Sequence, residues 1–192
     1  MQRSLSIALA TAAAILATTA VVSAQSARPA DRAWTQLDDL RVATARYHDV
    51  ANAVEDGFTP FSTTGGTTPT CFDHPGDGGM GVHYVHDIDD TVDAMDPEAA
   101  VYEVVDPGHL RLVAAEYIVP ASFVEDAAGN VVNLPSVLGQ DFHKNETLGV
   151  YVLHAWTWEP NPAGTFADFN PNVGMCPASS DSEAMPSMSM TP

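Results

Sequence analysis

The sequence predicts an α+β fold: one N-terminal helix packed on a mainly antiparallel sheet, with a barrel-like closure of that sheet left open. Three observations carry this. A helical apolar repeat fills the region before Gly57, and no second repeat of that length follows it. Four runs rich in β-branched and aromatic residues come after it, at 82–85, 101–105, 110–119 and 148–158. The second and third flank Asp106-Pro-Gly-His109, a turn sequence, so they reverse as a hairpin rather than cross over.

The elements follow in order. Residues 1–24 read as a secretory signal peptide: Arg3 gives a positive start, Ile7 to Val22 is apolar, and Val22-Ser-Ala24 is a small-residue cleavage site. A single globular domain is expected over 25–178, beginning with a short leader to Ala33. Trp34, Leu37, Leu40, Arg41, Tyr47, Ala51 and Val54 recur at helical spacing, which predicts one helix over about 35–56, stopped by Gly57. Residues 58–81, rich in Gly, Thr and Pro, are expected as a loop. The acidic run from Asp87 to Asp96 has the outline of a calcium loop. Its sixth place is Val92, where such a loop needs Gly, so a solvated turn is expected instead. After the hairpin, 134–146 looks irregular, and 148–158 is the longest strand candidate, broken by Glu159-Pro-Asn-Pro. The tail 179–192 is rich in Met, Ser and Pro and is expected to be disordered. Its Met185, Met188 and Met190 are soft thioethers that also suit copper(I).

Composition narrows the partners. The chain carries 25 acidic against seven basic residues, a formal charge of -18, so nucleic acid is excluded as a partner. No stretch after the signal segment has 18 uninterrupted apolar residues, so no membrane span is expected in the mature chain. A metal ion or small molecule remains as the partner class, and no pattern specifies an oligomeric state. Cys71 and Cys176 are the only cysteines; in an exported chain they pair most simply as a disulfide. Their alternative use, as two thiolate ligands, lacks any metal-type spacing.

Three ionisable residues interrupt runs that otherwise look buried. His83 lies in Met80-Gly-Val-His-Tyr-Val-His86, Glu116 in Leu112-Val-Ala-Ala-Glu-Tyr-Ile-Val119, and His154 in Val150-Tyr-Val-Leu-His-Ala-Trp-Thr-Trp158. A charge in an apolar strand must find a partner or be neutralised. If the faces meet, His83, Glu116 and His154 form a two-imidazole, one-carboxylate set suited to divalent zinc, copper or iron, with His86 and His143 as candidate further ligands. The same groups could instead form a hydrogen-bonded core network or serve acid–base chemistry. Trp156 and Trp158 alternate on one strand face, which suggests either core packing or a ligand-binding aromatic face. No Gly-x-Ser-x-Gly elbow is present, and no catalytic residue is assigned.

Several phrases occur together: Tyr47-His-Asp-Val-Ala51 with Gly57-Phe58, Gly79-Met-Gly-Val-His-Tyr84, Val101-Tyr-Glu103, Leu112-Val-Ala-Ala-Glu-Tyr117, and His154-Ala-Trp-Thr-Trp-Glu-Pro-Asn-Pro-Ala-Gly-Thr-Phe166 with Cys176. On these, over roughly 40–178, the chain resembles a group of exported bacterial proteins of no assigned activity. The resemblance implies an exported single domain and supplies no catalytic residues.

Overall fold

The computed structural model describes residues 29–177 and 182–184. The expected signal peptide, and all of the expected tail except Ser182–Ala184, lie outside the described residues.

The architecture is α+β, with the main helical segment N-terminal to a mainly antiparallel sheet. The expected single helix is divided. Helix α1 runs Pro29–Thr44, a 3-10 turn covers Ala45–His48, and α2 runs Val50–Glu55. The break has a local cause. Asp49 is extended (φ -95°, ψ 109°), and its carboxylate accepts from the Ala51 N–H, capping α2. A short helix α3, Ala121–Val124, follows the hairpin.

Strands are β1 Thr59–Pro60, β2 Cys71–His74, β3 Gly78–Val85, β4 Ala99–Asp106, β5 His109–Pro120, β6 Ser136–Val137, β7 Gln140–Asp141, β8 His143–Asn145, β9 Val150–Ala155 and β10 Ser182–Ala184. The main sheet has the order β10-β2-β3-β4-β5-β9-β8, with β1 also on β3; β6 and β7 form a separate small pair. Among the described residues all strand pairings are antiparallel except β10 with β2, and the sheet does not close into a barrel.

Two expectations need correction. The supposed loop 58–81 contains β1, β2 and the start of β3. Glycines made that stretch look unstructured, yet two of them permit tight packing. A side chain on Gly79 would strike the Gly174 carbonyl, and one on Gly81, at φ +100°, the Tyr102 carbonyl. The strand expected over 148–158 ends at Ala155. There the chain leaves the ladder: Trp156 N–H donates to Thr165 O, and Trp158 and Glu159 N–H both donate to Val113 O.

The sheet has two differently covered faces. On one, Ala115, Tyr117, Val119, Leu153 and Ala155 pack with Leu37 and Leu40 of α1, while Val82, Ala100 and Tyr102 pack with Ala53 and Phe58. On the other, Val101, Ala114 and Trp156 meet Val173 of the C-terminal segment, and Ala99, Ile118 and Val152 form a smaller cluster. Alternation along β3, β5 and β9 puts the ionisable residues on this second face.

Cys71 and Cys176 form a disulfide, Cα atoms 5.8 Å apart, that ties β2 to this C-terminal segment. It closes a separation of 105 residues, which stabilises the fold by about 4–5 kcal/mol in the chain-entropy model. Bonding both sulfurs removes the thiolate-ligand alternative. Among the described residues, no helix is long and apolar enough to cross a membrane.

Candidate metal centre

Strand register brings the three groups together. His154 on β9 is directly opposite Glu116 on β5. Glu116 is opposite Ala99 on β4, and His83 on β3 is opposite Val101. The intervening strand therefore presents only a methyl group beside the carboxylate, and the His83 ring reaches across it. His83 Nε2 stands 3.2 Å from Glu116 Oε2, and His154 Nε2 stands 3.5 Å from Glu116 Oε1. All three residues are buried, and one ligand atom from each lies within 4.8 Å of the other two.

These spacings admit a shared ion, and the His83–Glu116 pair is also within reach of a long hydrogen bond. A tetrahedral ion with bonds of about 2.1 Å separates its ligand atoms by about 3.4 Å. Hydrogen bonds between ionised groups are shorter, about 2.7–2.9 Å. Both nitrogens of His154 and Nδ1 of His83 are buried without a hydrogen-bond partner. Buried polar atoms are ordinarily satisfied, so orphaned ones on two convergent imidazoles need an explanation.

Asp168, in the segment after β9, supplies an outer carboxylate. Its Oδ1 lies 3.7 Å from His154 Nδ1, near enough for attraction but too far for a hydrogen bond. The same oxygen is 2.9 Å from His143 Nε2, off the hydrogen-bonding direction. A carboxylate behind a ligating imidazole is the usual arrangement for orienting the ring.

Burial and charge oppose each other here. Burial pushes the Glu116 carboxyl up, but the charges of His154 and His83 outweigh it and hold the group below its ordinary value. Burial opposes charging of His154, yet Glu116 and Asp168 together hold it above its ordinary value. Asp168 is driven well below the usual carboxylate range: burial again raises it, and His143 and His154 outweigh that. The field at the centre favours positive charge.

The remaining candidates lie elsewhere. His86 stacks on Phe58 and faces away, with Nε2 3.1 Å from Pro97 O and 3.6 Å from Asp96. His143 reaches the centre only through Asp168. Trp156 and Trp158 do not share a face, because the strand has ended before them. Trp156 is buried, donates to Ala167 O and stacks near-parallel to the His154 ring. Trp158 packs edge-on against His48 and donates to Thr44 Oγ1.

Sequence reasoning missed Asp168 and Asn145. Asp168 sits in an irregular segment with no period to mark it. Asn145 ends β8, where the sequence looked shapeless; it is buried, lines the same pocket, and its Oδ1 accepts from Leu148 N–H. Comparison with family models, curated proteins and solved structures gave no match to this chain.

Proposed function

We propose that this chain is an exported protein that binds one divalent transition metal ion through His83, Glu116 and His154, for metal handling or a metal-assisted reaction. The observation that carries the reading is the convergence of two imidazoles and one carboxylate, from three strands, at separations of 3.2 and 3.5 Å, with His154 Nε2 otherwise unpartnered. Zinc, copper(II) and iron(II) all accept this donor set, and three protein ligands leave a position for water or a ligand. Export is supported by the signal-peptide pattern at 1–24 together with the disulfide.

The competing reading, a purely structural polar core, leaves buried His154 Nε2 unpaired beside Glu116, which a bound ion would satisfy. The test is elemental analysis of full-length protein exported by its host and purified without an affinity tag. We expect one transition metal per chain, lost in His154→Ala and in the gentler His83→Gln. Metal-free protein whose melting is unchanged by added zinc or by chelator would sink the proposal.

A further inference from the structure

The candidate centre is the floor of a pocket whose walls are of a different chemistry. The cavity holds about 140 Å³, close to the volume of an apolar cavity that takes up benzene. Its walls are side chains such as Phe61, Phe72, Val85, Ile118, Val150 and Val152. Four of its polar side chains, His83, Glu116, His154 and Asp168, meet at one end, while Asn145 stands opposite Val150, four residues along β9 from His154. Ile88 and Leu148, both exposed, also line it. An apolar body with one polar end therefore matches the pocket, whereas a sugar or peptide would leave hydroxyls or amides against hydrocarbon.

The polar end sets the headgroup. Glu116 and Asp168 together balance the charge of a divalent ion, so what the floor offers is an open coordination position on that ion, which takes an oxygen donor. We infer that the pocket binds a small one-ring aromatic molecule bearing a single oxygen headgroup, a phenol, with the oxygen on the floor and the ring between Ile118 and Phe72. The headgroup part rests on the metal reading; the ring part rests on the walls alone.

The test is calorimetric titration of full-length protein, with its metal content measured in parallel, using 4-methylphenol, phenol, toluene and glucose. We expect 4-methylphenol to bind one per chain, about fourfold tighter than phenol for one extra buried methyl group. Toluene, which lacks the oxygen, should bind at least about tenfold more weakly, and glucose should not bind. Val150→Trp, at a half-buried wall position, should weaken 4-methylphenol at least about tenfold while keeping its metal; Val85→Phe serves if that variant does not fold. Metal-loaded protein that ignores 4-methylphenol at millimolar concentration, or binds it unchanged in the wall variant that folds, overturns this inference and leaves the metal reading standing. Binding of 4-methylphenol by metal-free protein upholds the one-ring pocket and overturns both the metal and the headgroup part.

Discussion

The pocket floor and the loop joining β3 to β4 both gather ionisable side chains, and Ile88 lines both sites. Their chemistry differs. The floor mixes two imidazoles with Glu116 and Asp168, all buried. The loop presents Asp87, Asp89, Asp93 and Asp96, all acidic and all exposed. In the loop, carboxylates are spent on the turn itself: Asp89 accepts from Thr91 N–H and Asp93 from Met95 N–H. On the floor, ring nitrogens are left without hydrogen-bond partners. Density of acidic residues thus says little about a site; mixed donors under burial say more, because water no longer competes for them.

The loop has one buried acid. Glu98 precedes β4, and because β4 begins at Ala99, no residue of that strand pairs with Ile118; the Glu98 carboxylate accepts from Ile118 N–H instead. Burial is the main cause that pushes Glu98 up to about 7, with Asp89 and Asp96 adding to it.

Four variants sharpen the contrast. The largest effect is expected for Glu116→Gln, which should weaken metal binding by more than about 100-fold in a chelator competition, since a ligand is lost rather than a supporting group. If affinity is unchanged, the carboxylate is not a ligand. Asp168→Asn comes next: it should retain metal but bind it about 10- to 100-fold more weakly. An effect as large as that of Glu116→Gln would promote Asp168 to a ligand.

Glu98→Gln should act on stability and not on metal. Folded Glu98 holds its proton up to about pH 7, while the unfolded chain releases it near 4.5. Its stabilising contribution is therefore complete below pH 4.5 and is lost as pH rises through 7. The glutamine variant should equal the wild type near pH 4 and exceed it by about 3 kcal/mol at pH 8, read from urea unfolding at both pH values. A constant difference across pH would refute this. The smallest effect is expected for Asp89→Asn, within about 0.5 kcal/mol in stability and without change in metal content. Loss of metal there would shift attention from the floor to the loop.

Helix and hairpin were legible because both are local. The apolar spacing from Leu37 to Val54 marks a helix, and Asp106-Pro-Gly-His109 marks a reversal. Legibility failed where pairing with distant chain decides. Cys71–His74 becomes a strand because β3 lies beside it, and the chain leaves β9 after Ala155 because Trp156 N–H donates to Thr165 O and the N–H groups of Trp158 and Glu159 donate to Val113 O. Even the helix break at Asp49 was readable as a capping residue before Val50, and was masked by the apolar pattern running through it.

By itself the sequence determined that His83, Glu116 and His154 would sit in buried strands, since a single ionisable residue in an apolar alternating run cannot easily face water without exposing its neighbours. It also determined the cysteine pair, there being no other partner for either sulfur. Only the tertiary structure decided that the three strands stand in an order and register that puts those residues on one face, with an alanine between two of them. It alone added Asp168, Asn145 and the apolar walls, because register and loop docking depend on contacts far apart in the chain, which residue order does not display.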